Sequence, residues 1–292
     1  MVSRTVDLGG PVHYFDFGGS GPPLVCVHGL GGAALNWMAV GAGLARGHRV
    51  LAPDLRGFGK TPLGSHSAAI DANQMLLDRF IREVAGSPSV LVGHSMGGLL
   101  ATLQAARHPE TVSATALADP SLPWRGRRRF DAPIWAFFSL MMVPRLAEWQ
   151  LRRRLLRLGP DRISAQTLTI CTVDPYRVPP EARQAHLELA RERAGLPDGE
   201  RALAQAARSL LRMLTRRSFS QLYERVRGPV LIVHGERDRL VPVEFSLAIG
   251  RRYDWSVQVL PDVGHIPMLE VPDRFVEVSL DWLDRLPRAQ AV

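Results

Sequence analysis

The run Val90–Ala101, VLVGHSMGGLLA, holds two hydrophobic stretches separated by Gly93-His94-Ser95-Met96-Gly97. The residues before Gly93 suit a short strand buried on both faces, and the leucines and alanines after Gly97 suit a buried helix. Between them one hydroxyl, Ser95, has a glycine two residues away on each side. Small flanks let strand and helix approach across a sharp turn, and the helix that starts there aims backbone N–H groups at developing negative charge. That is the setting of a serine nucleophile. A serine hydroxyl needs a base, and the base needs an orienting acid. Asp238, in LIVHGERDRLVP, and His265, in LPDVGHIPMLE, follow in that order, each just past an expected strand. Asp119, in ALADPSLP, also ends a strand and is the alternative acid. The glycine-rich turn in VCVHGLGG (Val25–Gly32) offers the N–H of Leu30, which with that of Met96 would hold an oxyanion.

These residues need a scaffold that brings strand ends together, and the rest of the pattern supplies one. Strands are expected at His13–Phe17, Leu24–Val27, Val50–Ala52, Val90–Val92, Ala114–Ala118, Val230–Val233 and Val257–Leu260. Helical patterns fall at Ile70–Ala85, Glu244–Arg252 and Arg274–Leu286. Strands alternating with helices predict an α/β fold, a mostly parallel sheet with helices on both faces. The segment from Ser121 to Arg227 breaks the alternation. It carries helical stretches at Ile134–Met142, Leu146–Leu158, Pro180–Ala194 and Glu200–Thr215 and no convincing strand. The organisation expected is therefore a core made of residues 1–120 and 228–292, interrupted by a helical insertion, 121–227.

Composition narrows the function classes. With 46% hydrophobic and 22% charged residues, the 292-residue chain reads as an ordinary globular protein. Two cysteines, Cys26 and Cys171, make no disulfide framework and have no metal-like spacing, and the N-terminus has no apolar core of a secretory signal. A cytoplasmic location is the expectation. The net charge of +8 is concentrated in residues 121–227, with 21 Arg against 10 acids. The chain has a single lysine, Lys60, and its basic runs lack the interleaved aromatics of a nucleic-acid site, so no nucleic-acid partner is expected.

In order and spacing, HGLGG, DLRGFGKT (Asp54–Thr61), GHSMGG, GERDRLVP and VGHIPMLE resemble the motifs of the α/β-hydrolase family over essentially the full chain. The resemblance implies Ser95, Asp238 and His265 as the catalytic set, and 121–227 as a cap over the site. It implies no metal or organic cofactor. A serine at the elbow disfavours relatives that use an aspartate there, and Ile266 stands where the family's carbon–carbon hydrolases usually carry Trp. A carboxylic ester with a hydrophobic acyl chain is the expected substrate. Carbon–carbon cleavage, acyl transfer and a non-catalytic ligand-binding role are the alternatives.

Among the remaining residues, His28 is expected to stabilise its glycine turn, His94 to pack behind the elbow, His234 to be structural and Asp262 to sit in a turn. Asp54 and Arg56 are expected to pin a loop through a charge-assisted hydrogen bond. The segment APIWAFFSLMMVP (Ala132–Pro144) is apolar nearly all round a helix, which predicts burial. It would pack the cap, line an acyl pocket, or dip into a membrane interface beside Arg125–Arg129. Trp37, Phe137, Phe138, Met141 and Met142 are the substrate-facing candidates.

Overall fold

Successive residues on a strand face opposite sides of a sheet, and here both sides are apolar. Val25, Val27, Leu91, Leu117 and Ile232 belong to one core cluster, and Leu24, Cys26, Val90, Val92, Ala116, Leu231 and Val233 to the other. The computed structural model describes residues 1–86, 88–122, 132–196, 198–216 and 219–286. Its strands are β1 (Val2–Asp7), β2 (Pro11–Gly18), β3 (Pro23–Val27), β4 (Arg49–Pro53), β5 (Ser89–His94), β6 (Val112–Ala118), β7 (Val230–Gly235) and β8 (Ser256–Leu260). They form one sheet in the order β1-β2-β4-β3-β5-β6-β7-β8. β1 and β2 run antiparallel to their neighbours, and the other pairings are parallel.

Helices α1 (Gly41–Leu44), α2 (Ile70–Phe80) and α3 (Met96–Arg107) follow β3, β4 and β5. α2 and α3 cover the first cluster through Leu77, Phe80, Leu99 and Leu103, while α1 covers the second through Leu44. α4 (Ala132–Met141), α5 (Pro144–Cys171), α6 (Pro180–Ala194), α7 (Gly199–Thr215) and α8 (Phe219–Tyr223) all lie between β6 and β7. β6 and β7 are nonetheless adjacent, with Thr115 opposite Val230. Leaving the sheet for these helices therefore costs the ladder nothing. After β7, α9 (Val243–Tyr253) adds Phe245 and Ile249 to the first cluster. After β8, α10 (Pro267–Glu270) and α11 (Pro272–Asp284) bring Met268, Phe275 and Leu283 to the second. Among the described residues no helix is long and apolar enough to cross a membrane.

Two local features depart from the sequence reading. α5 continues beyond Leu158 to Cys171, through a kink where Gly159 has φ 72° and Pro160 restarts the helix. Pro is well suited to a first helical turn, so a residue pair that reads as a stop is here a corner. α4 is not buried all round. Met141 is fully buried but Phe137, Phe138 and Leu140 only partly so, and Met142, just past the end of α4, is 37% exposed. Its apolar surface exceeds what its neighbours in α5 and α7 cover.

Candidate active site

The carboxyl ends of β3, β5, β6, β7 and β8 lie side by side, and Ser95, Asp119, Asp238 and His265 follow these strands at this edge. Ser95 follows β5 directly, at φ 51° and ψ −116°, a strained conformation for a residue with a side chain. The strain is fixed by packing. A Cβ on Gly97 would collide with the carbonyl oxygen of Val27, and one on Gly93 with Gly97 itself. The Ser95 backbone is also held, its N–H donating to Ala118 O (2.9 Å) and its carbonyl accepting from Gly98 and Ser121 (both 3.0 Å).

Asp238 and His265 meet as the spacing predicts. His265 Nδ1 donates to Asp238 Oδ2 over 2.7 Å, which leaves the imidazole Nε2 with its lone pair. Burial opposes the Asp238 charge, but His265 and His234 beside it hold the carboxyl well below the ordinary range. The Ser95 hydroxyl faces Ser121 Oγ at 3.4 Å, and among the described residues no hydrogen bond joins it to His265. Such contacts tighten when a substrate is bound. The His94 and His265 rings are 4.8 Å apart, and His94 Nε2 donates to His265 O over 2.8 Å. Burial, and then the neighbouring His265, push the His94 imidazole down to about 3. It is a neutral prop behind the elbow.

Asp119 does not contact His265 in this way. It is fully buried with φ 42°, and its Oδ1 accepts from the Gly235 N–H at 2.9 Å. Desolvation and the Asp238 charge raise its carboxyl well above the ordinary range, so it is held as the neutral acid. One ligand atom each of Asp119, His234 and Asp238 lie within 4.8 Å of one another. They do not suit a metal. His234 Nε2 must carry a proton to reach the Val241 carbonyl (2.9 Å), and Nδ1 is paired with Ser246 Oγ (2.7 Å). A ligand there would also strip Asp238 from His265.

The β3 turn approaches the serine closely. A Cβ on Gly29 would sit 3.0 Å from Ser95 Cβ and 2.9 Å from His94 Nδ1. His28 fixes this turn by donating from Nδ1 to Gly29 O (2.8 Å) and accepting at Nε2 from Leu55 N (3.0 Å). Neither the Leu30 nor the Met96 N–H donates to a backbone carbonyl among the described residues. Met96 is the first residue of α3, where no intrahelical acceptor exists.

The substrate-facing candidates divide. Leu30, Phe137 and Phe138 pack together on a buried cluster of Met141, Ala147, Ala204 and Ala207, which joins the β3 turn to α4, α5 and α7. Met142 is not part of it and is exposed. Trp37 is fully buried 6.3 Å from Phe275 in the core, a packing residue far into the second cluster. Asp54 and Arg56 do not pair with each other. Asp54 accepts from His13, Ala34 and Lys60, whereas Arg56 donates to Leu8 O (2.8 Å). Arg125–Arg129 lie outside the described residues.

Glu270 was not legible as a site residue. It is buried, and its carboxylate accepts from Val173 N (2.9 Å), Asp174 N (3.1 Å) and Gly264 N (2.8 Å). It ties the end of α5 to the loop that carries His265. The one available signal was an acidic residue at the end of the apolar run IPMLE.

A strained serine on a strand-to-helix elbow, at the carboxyl edge of a parallel sheet beside a carboxylate-held imidazole, defines a class of fold and site. Residues 24–278 match the Alpha/beta hydrolase family, and the chain belongs to that family. It is 27% identical to a 2-hydroxy-6-oxo-6-(2'-aminophenyl)hexa-2,4-dienoic acid hydrolase of Metapseudomonas resinovorans, covering 97% of this chain and 91% of that protein. It is also 27% identical to the sn-1-specific diacylglycerol lipase ABHD11 of Mus musculus, over 90% and 81% of the two chains. The solved structure of a membrane phospholipase A superposes with a TM-score of 0.77 at 25% identity, covering 99% of this chain and 87% of that one.

Proposed function

We propose that this hydrolase cleaves carboxylic esters with a hydrophobic acyl chain through an acyl-enzyme. Ser95 Oγ attacks the ester carbonyl carbon while His265 Nε2 takes its proton. Asp238 keeps the Nδ1–H of His265 directed and stabilises the imidazolium. The tetrahedral oxyanion is received by the N–H groups of Leu30 and Met96. His265 returns the proton to the departing alkoxide, then activates the water that attacks the Ser95 ester and frees the acid. Residues 121–227 act as the cap. The observation that carries the reading is the apolar cluster of Leu30, Phe137, Phe138 and Met141, because it places hydrophobic surface against the turn that abuts Ser95. The lipase relative is consistent with such an acyl group.

Carbon–carbon hydrolysis on the same residues is the second reading, and the Metapseudomonas relative favours it. A p-nitrophenyl ester series from acetate to palmitate decides between them, run beside a 2-hydroxy-6-oxo-dienoate. The expected result is ester turnover that peaks at one chain length and is lost in Ser95→Ala. Dienoate turnover without ester turnover would transfer the assignment to the second reading. No turnover of either by folded protein would overturn both.

A further inference from the structure

At 100° per residue, the first half of α5 presents Arg145, Leu146, Trp149, Arg152, Arg153, Leu156 and Arg157 within a sector of about 140°. All seven are exposed, while Ala147, on the opposite side, is buried against α4 and α7. Trp149 is 53% and Leu156 73% exposed, values an ordinary solvated face does not need. Met142 and Val143, just ahead of the helix, are exposed as well. The arginines are interleaved with it: the Arg153 guanidinium lies 5.2 Å from the Trp149 ring centroid. Residues 142–158 contain five Arg and a single acid, Glu148, which lies outside the sector. Arg152 reaches Glu200 at 3.4 Å, and no other ion pair engages the four sector arginines among the described residues.

We propose that this face of α5, with Met142 and Val143, docks the protein on an anionic lipid surface. Charge complementarity selects that occupant. A protein groove would leave four arginines to be desolvated individually, whereas an anionic bilayer receives the guanidinium groups at its headgroups while Leu146, Trp149 and Leu156 enter the acyl boundary beneath. A tryptophan half out of the protein is suited to that boundary. The contact proposed here lies on the outer face of α5, whereas the one expected beside Arg125–Arg129 falls outside the described residues. It does not depend on the ester reading.

The test is co-sedimentation with sucrose-loaded vesicles of phosphatidylcholine alone or with one quarter phosphatidylglycerol. Binding to the anionic vesicles is expected to exceed binding to the neutral ones by more than about tenfold at low salt and to fall in 0.5 M NaCl. The triple variant Arg152→Gln/Arg153→Gln/Arg157→Gln should lose that preference, and Trp149→Ala/Leu156→Ser should lose binding altogether. Both should keep the wild-type melting profile and unchanged turnover of a soluble ester. The emission difference between wild type and Trp149→Phe should shift to the blue on adding anionic vesicles. Absence of binding by the wild type, or equal binding by the variants, would overturn the proposal. So would a wild-type dimer that Trp149→Ala dissolves, since the face would then belong to a second copy of the chain. An inactive protein that still binds would leave this proposal standing and remove only the ester reading.

Discussion

Two buried aspartates follow neighbouring strands here, and their neighbours give them opposite charge states. Asp238 is held ionised by His265 and His234, while Asp119 is held neutral by desolvation and by Asp238 itself. A neutral carboxyl is closely mimicked by an amide, and an ionised one is not. Asp238→Asn should therefore lower kcat/KM by about four orders of magnitude, because the imidazole loses both its orienting acceptor and its counter-charge. Asp119→Asn should cost less than about tenfold, since Asp119 does not bond His265 and an amide oxygen can still accept the Gly235 N–H. Steady-state kinetics on the best ester of the series separates the two. Equal losses would mean that Asp119 carries charge. Sequence alone left both aspartates open as the acid, because each ends a strand at the same sheet edge. Only the 2.7 Å contact of Asp238 to His265 distinguishes them, since both side chains are buried.

At the scale of elements, the parallel strands were legible because burial on both faces writes a continuous apolar run into β3, β5 and β7. β1 was not, since Val2–Asp7 is an edge strand with mostly exposed residues and no alternation to read. The second half of α5 was hidden by Gly159-Pro160. Burial of α4 was overestimated, because periodicity reports apolar surface and not how much of it neighbours cover. The same limit hid Glu270, whose three N–H partners lie at Val173, Asp174 and Gly264, nearly one hundred residues apart in the chain for the first pair. Removing its carboxylate would leave three donors unpaired where α5 meets the His265 loop. Glu270→Ala should lower the unfolding free energy by about 3 kcal/mol or more. It should also lower kcat more than it raises KM, as His265 is displaced while the apolar cluster is untouched. Urea unfolding beside ester kinetics checks both, and an unchanged unfolding midpoint would sink the idea.

The whole molecule buries titratable groups whose effects on folding oppose one another. His28 and His94 are kept neutral, chiefly by desolvation, with His94 pushed down to about 3. The unfolded chain protonates both below about pH 6.5, so stability from these residues is present near neutrality and lost as pH falls. Asp119 has the opposite sign. Its raised native value means that the folded state retains a proton the unfolded chain has released above about pH 4, so its contribution is lost as pH rises. Between pH 6 and 5 the acid-sensitive histidines are thus partly offset by one carboxyl lying at the same sheet edge. Removing either side exposes the other. His94→Gln, which can still donate to His265 O, should reduce the slope of unfolding free energy against pH by about 1.4 kcal/mol per unit in this window. Asp119→Asn should steepen it. Denaturant midpoints at pH 5 and 6 for wild type and the two variants would decide the matter. Parallel slopes for all three would mean that neither group changes its protonation on unfolding, and the buried charge states assigned to the elbow and to the acid behind it would have to be reversed.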